Sequence, residues 1–279
     1  MSLSALKGPA EVEAEILMSR TAFAGSFMVV EGDGDSRFFR KRIDDSVCEI
    51  VIAGGKPAVV GGIARLNNKD FHGALGIVDD DCDCVDGRPV PSTNLIPTRD
   101  VRDLDAMLVW STAFDGLMAE YADPVRVKAF GGHSAIRAAV AQVAFPFGAI
   151  RRWSYVAKAD IDFKSLPPYR FVTPDWKFKQ TDLFDAAAQQ INIAPADLIA
   201  QVQALPDADA RLVCQGHDLI AVLAIGMSKG GILGSSGSSP DKIASALRLA
   251  FDARSWLTST LSVDIRKWEV MNPPYRCLP

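Results

Sequence analysis

Two acidic clusters, each following an apolar run, are the residues of this chain best suited to chemistry. Phe27-Met28-Val29-Val30 leads into Glu31-Gly32-Asp33-Gly34-Asp35, and Leu75-Gly76-Ile77-Val78 leads into Asp79-Asp80-Asp81-Cys82-Asp83. Neighbouring carboxylates repel by about 1 kcal/mol per pair at 4 Å even in water, so a cation is expected to compensate them. Oxygen-rich clusters select hard divalent ions, here Mg2+ or Mn2+. Along an extended segment Asp79 and Asp81 project to one side and can converge on one ion, with Asp83 reaching the same ion or a second. Asp80 points away, toward water. Glu31, from a neighbouring strand, completes the oxygen set, and beside bound cations its ionised form is favoured.

Other chemistries fit these residues less well. An EF-hand starting at Asp79 fails, because its sixth position is Cys84 rather than glycine and its twelfth is Val90 rather than glutamate. Cys82-x-Cys84 with His72 lacks the thiol spacing of a zinc site. Around the acids, Asp35 reads as the N-cap of the following helix or as a support for the site. Lys56, after Gly54-Gly55 at a strand-to-helix turn, is placed to contact a nucleic-acid phosphate. Arg37 belongs to the basic group Arg37, Arg40, Lys41 and Arg42, by default a solvated surface, and supplies electrostatic footing for a polyanion if it faces the crevice. His217-Asp218 reads first as a helix-start pair that caps and packs, and second as a phosphate contact. Arg151-Arg152-Trp153 and Trp176-Lys177-Phe178-Lys179 interleave cationic and stacking groups as single-strand binders do, but core aromatics with exposed lysines account for them better.

The elements that must position the acids follow from patterning. Apolar runs at Ser26–Glu31, Val47–Ala53, Ala74–Val78 and Asn94–Pro97 read as strands. Helical spacing appears at Glu11–Phe23, Ser36–Ile43 and around Val59, Val60, Ile63 and Leu66. Alternation of strand and helix predicts a small parallel sheet with right-handed crossovers, its acids at the strand C-terminal ends where open α/β sheets bind ligands. Beyond about residue 102 the pattern is mostly helical, with helices expected near 104–121, 135–143, 183–191, 196–204, 217–227, 242–261 and 261–269. An irregular connector is expected at 159–181, and the tract Gly230–Pro240, with Ser235-Ser236-Gly237-Ser238-Ser239, reads as a flexible loop or linker.

Composition sets the outer bounds. The 279 residues are 48% hydrophobic and 23% charged, as in an ordinary globular protein. A net charge of −4 supplies no global attraction to nucleic acid, though a local basic face can bind a polyanion regardless. No apolar stretch approaches the roughly 20 residues that cross a bilayer, so no membrane association is expected. Five cysteines without framework spacing, and no recognisable secretory leader, point to reduced thiols and the cytoplasm.

In combination the two motifs resemble the Toprim catalytic domain. Glu31-Gly32-Asp33-Gly34-Asp35 is similar to its strand-end Glu-Gly-x-x-Asp motif, and Asp79-Asp80-Asp81, with Asp83 as a further acid, to its Asp-x-Asp motif. The chain more closely resembles the DUF4435 group of OLD-like Toprim proteins. Thr98 and Asp103-Leu104-Asp105 occupy the place of a threonine strand end and a following acidic helix, with Asp105-Ala106 where the group has Glu-Asn. Gly216-His217-Asp218-Leu219 is similar to the group's Gly-x-Asp-Leu segment, and Leu261–Glu269 to its closing helix. The resemblance implies an N-terminal helix over 1–23, a Toprim-like (Rossmann-like) α/β domain over 24–110 and a mostly helical region over 111–279 packed on it. It implies Mg2+- or Mn2+-dependent phosphodiester hydrolysis of DNA or RNA, with Glu31, Asp79 and Asp81 catalytic and Asp83 and Asp105 as further metal ligands. An ABC- or AAA-type ATPase partner in a defence setting belongs to the same implication, and a homo-oligomer is compatible with it. Two other readings compete: a Toprim-like module that binds nucleic acid or protein without catalysis, kept open by Asp105, and a metal-dependent nucleotide-sugar transferase, which has no need of the Glu31 motif.

Overall fold

The computed structural model describes residues 7–234 and 239–279. Residues 1–6 and most of the serine-rich linker segment lie outside the described residues. In chain order the elements are α1 (Pro9–Ser19), β1 (Ser26–Val30), α2 (Asp33–Phe39), β2 (Cys48–Ile52), α3 (Lys56–Asn67), β3 (Ala74–Val78) and β4 (Leu95–Pro97). Then come α4 (Leu104–Val109), α5 (Ala113–Tyr121), α6 (Pro124–Phe130), α7 (His133–Ala157), α8 (Gln180–Gln190), α9 (Pro195–Gln203) and α10 (Ala210–Val213). The remaining helices are α11 (Gly216–Gly226), α12 (Pro240–Ala250), α13 (Ala253–Leu257) and α14 (Thr260–Met271). Among the described residues no helix is long and apolar enough to cross a membrane.

The chain forms two compact units, one made of residues 1–99 and 256–279, the other of 100–255. This division differs from the expected one in three respects. The boundary falls at Asp100 rather than after 110, the first helix belongs to the α/β unit because it packs on α3, and residues 256–279 return to that unit instead of completing the helical one.

The first unit is α/β: a four-stranded parallel sheet in the order β2-β1-β3-β4, flanked by helices in a Rossmann-like arrangement. β1 and β3 are buried along their whole length, as expected of continuous apolar runs covered on both faces. Val12 and Ile16 of α1 and Val59, Ile63 and Leu66 of α3 pack with Phe27, Val29, Val51 and Leu95 in one core. Elsewhere Phe38 and Phe39 of α2 meet Trp256 edge-on, at 5.7 and 6.0 Å between ring centroids. Gly76 in β3 allows α3 to approach, since a Cβ there would lie 2.6 Å from Leu95 and 2.8 Å from Val59. Gly76→Ala is therefore expected to lower stability by about 1–3 kcal/mol through overpacking, read as a lower denaturant midpoint with an unchanged slope.

The second unit is helical. Its longest helix, α7, runs 25 residues through Pro146. Trp153 and Trp176 are buried, and the Trp176 Nε1 donates to the Val222 carbonyl at 2.9 Å. The aromatic and basic clusters around them are thus core aromatics rather than an open stacking platform. Asp103 caps α4 by accepting from the Ala106 amide at 2.7 Å, and its other oxygen accepts from the Gly216 amide at 2.7 Å at the start of α11.

Candidate active site at the ends of β1 and β3

From β1 the chain first moves outward to β2, then crosses back to β3 on the other side. The gap beyond the carboxyl ends of β1 and β3 is therefore a topological switch point, where open α/β sheets take ligands. Glu31 follows β1 and Asp79 follows β3. The parallel register pairs Val29 with Gly76, so the two acids emerge at nearly the same height. They touch: the Asp79 amide donates to Glu31 Oε1 at 2.9 Å across 48 residues of sequence. Burial pushes the Glu31 carboxyl up to about 7; the Asp79 amide and Lys56 oppose that, while Asp81 and Asp35 add to it.

After Asp79 the backbone does not stay extended. Asp81 and Cys82 take positive φ values of 50° and 65°, so the strand turns into a tight loop. The alternation that would set Asp79 and Asp81 on one face and Asp80 in water ends there. Asp80 is 1% exposed and corrects the expectation of a solvated side chain. Its amide donates to Thr98 Oγ1 at 3.0 Å, and its carboxylate accepts from the Cys84 amide at 3.2 and 3.3 Å. Burial pushes its carboxyl up to about 6, against the Cys84 hydrogen bond. Asp80 is the internal brace of the loop.

Lys56 supplies the compensating charge. It is the first residue of α3, after Gly54 and Gly55 at φ of 89° and 131°, conformations that favour glycine. The Gly54 amide donates to the Glu31 carbonyl at 2.8 Å, which ties this turn to the end of β1. The Lys56 Nζ lies 2.6 Å from the Asp79 carbonyl and 3.3 Å from that of Asp80. It lies 3.3 Å from Asp81 Oδ2 and 2.8 Å from Asp83 Oδ2. Burial alone would lower its pKa, but Asp81 and Asp83 outweigh that and hold the ammonium charged.

Arg88, which the sequence reading did not single out, closes the loop from its far end. Its Nε pairs with Asp83, its Nη1 donates to Asp86 at 2.8 Å and its Nη2 to the Asp81 carbonyl at 3.1 Å. A single arginine ending a segment that carries five aspartates was the available signal. Asp35 Oδ2 accepts from the Gly32 amide at 2.9 Å, so the cap of α2 is Gly32, and Asp35 supports it from the third helical position. Arg37 is exposed on α2, whereas Arg42 of the same basic group is buried against the Phe38 ring at 3.9 Å. Asp105 and His217 belong to the second unit. There Asp105 lies 3.6 Å from Arg248, and His217 lies 3.3 Å from the buried Asp218, which also pairs with Arg151 at 3.1 Å.

The donor chemistry of Glu31, Asp79, Asp81 and Asp83 suits a hard divalent cation, since every donor is a carboxylate oxygen. Among the described residues no three acidic, histidine or cysteine side chains are already gathered around a common point. The Lys56 ammonium stands among the acidic oxygens instead. Compared with protein-family models the chain matches none, and it matches no curated protein.

Proposed function

We propose that this protein is a Toprim-like, Mg2+- or Mn2+-dependent nuclease that hydrolyses phosphodiesters of DNA or RNA at the ends of β1 and β3. The observation that carries the reading is the hydrogen bond from the Asp79 amide to the Glu31 carboxylate, which joins the two acidic motifs at the switch point. Glu31, Asp79, Asp81 and Asp83 would hold the metal. The chemistry a divalent ion supplies in such sites is an acidified water and charge neutralisation at the leaving oxygen. The chain's own residues pre-set the site. The Asp79 amide fixes the direction of Glu31, and Thr98 and Arg88 hold the loop that carries Asp81 and Asp83. In the reaction a water oxygen bonds to phosphorus as one ester oxygen departs with a proton. A partner ATPase that restrains this activity is part of the same proposal and rests on the family resemblance alone.

A non-catalytic binding module is the second reading, favoured by the position of the Lys56 ammonium among the oxygens a metal would need. Calorimetric titration of Mg2+ and Mn2+ into the wild type and into the Glu31→Ala/Asp79→Ala double variant separates the two. Binding that is lost in the folded double variant, followed by cleavage of plasmid DNA or tRNA, supports the nuclease. Wild-type protein that binds nucleic acid but neither binds metal nor cleaves the nucleic acid supports the module.

A further inference from the structure

We propose that Lys56 is the resident counter-cation of the acidic strand end, a tethered ammonium that a divalent ion must displace to enter. The inference rests on the metal-site reading and adds to it a gate built from the chain itself. Four oxygens surround the Lys56 Nζ between 2.6 and 3.3 Å, two of them main-chain carbonyls and two carboxylates. An ammonium has three protons to donate, so this shell saturates it. The shell is of the kind that a small hard cation takes, assembled around a side chain.

The arrangement has an electrostatic cause. Asp79, Asp80, Asp81, Asp83 and Asp86 fall within eight residues, and Lys56 and Arg88 lie among them as cations. Without a cation the loop repels itself, so a lysine carried on a rigid helix start keeps it closed. The same Asp81 and Asp83 oxygens cannot accept from the ammonium and ligate a metal at full strength together. A divalent ion a few ångströms from the ammonium would also be repelled by it. Metal entry and departure of the lysine are therefore one exchange. The flexible four-carbon stem of Lys56 allows it, because the ammonium can swing into water without moving α3.

The test compares the full-length wild type with Lys56→Met and Lys56→Gln, measuring Mn2+ binding by calorimetry at fixed ionic strength and melting temperature with and without Mn2+. Both variants are expected to melt below the wild type in metal-free buffer. They are expected to bind Mn2+ about thirtyfold more tightly, the scale of one unit charge removed about 4 Å from a divalent ion at the dielectric of water. Mn2+ should then raise their melting temperature more than that of the wild type. The glutamine variant keeps the comparison if the methionine variant fails to fold. Equal or weaker Mn2+ binding by folded variants overturns the inference, while the metal-site reading stands if wild-type binding is still lost in Glu31→Ala/Asp79→Ala. No Mn2+ binding by any of the three proteins at millimolar metal overturns the metal-site reading and the gate with it.

Discussion

On the proposed nuclease reading, Glu31→Ala is expected to reduce Mn2+-dependent cleavage of nucleic acid by about 10²–10³-fold, the loss typical of removing one charge-organising group from an active site. Two contributions combine. The substitution removes an oxygen donor, and it takes away the acceptor of the Asp79 amide, so the end of β3 loses the contact that aligns it with β1. The strands themselves are unaffected, because the buried residues Phe27 to Val30 make the packing and Glu31 lies beyond them. Far-ultraviolet circular dichroism should therefore match the wild type, and Asp79→Ala should behave alike. Full activity in a folded Glu31→Ala protein would place the chemistry elsewhere.

The largest stability effect is expected in the second unit, at Asp103. Its two oxygens accept from the Ala106 and Gly216 amides, so one buried carboxylate starts two helices, α4 and α11. Gly216 must be glycine for this, since a Cβ there would lie 2.3 Å from the carboxylate. Asp103→Ala leaves both amides buried without that acceptor and is expected to cost about 2–4 kcal/mol, measured by urea unfolding. The site also predicts a pH dependence. Burial, then the charge of Asp105, pushes the Asp103 carboxyl up to about 6 from an ordinary value of 3.8, against the two amide bonds. Between these values the folded chain binds the proton more tightly than the unfolded chain does. The proton-linked part of the Asp103 contribution is thus fully present below pH 4 and is lost as pH rises through 6, while the two amide bonds remain to the ionised form. Asp103→Asn, which cannot titrate, should lack that slope. Parallel slopes for the two proteins between pH 4 and 7 would contradict the raised pKa.

The parts of the fold that sequence revealed are those where local pattern and tertiary environment agree. β3 is an apolar run stopped by an aspartate, and its bounds are those read from the residues, Ala74–Val78. Where side chains compete with the backbone, the pattern misleads. The single helix expected over 104–121 is two, because Ser111 Oγ donates to the Leu108 carbonyl and accepts from the Ala113 amide, which ends one helix and starts the next. The helix expected to stop at Val143 continues to Ala157, because buried Phe147, Ile150 and Trp153 sustain it past Pro146. The acids of the site were legible as strand-end carboxylates. The roles of Asp80 and Lys56 were not, because one depends on a left-handed turn at Asp81 and the other on a β2–α3 turn laid across the end of β1.

The return of residues 256–279 to the first unit has a consequence for how the protein is born. The Asp44 amide donates to the Cys277 carbonyl at 2.9 Å, and the Cys277 and Leu278 amides both donate to Glu269 at 2.7 Å, so this segment is woven into the α/β unit rather than appended to it. A ribosome that has released residues only through 255 has delivered every part of the helical unit but not of the unit that holds the acids. During synthesis all four strands emerge before the helical unit, but the α/β unit gains its last segment, 256–279, only after the helical unit is able to fold. Nascent chains tethered so that residues through 255, but not 256–279, have left the ribosome should accordingly protect the helical unit from protease while the acidic strand ends remain open to cleavage. The order of emergence thus leaves the α/β unit that carries the acids unfinished until residues 256–279 have joined it.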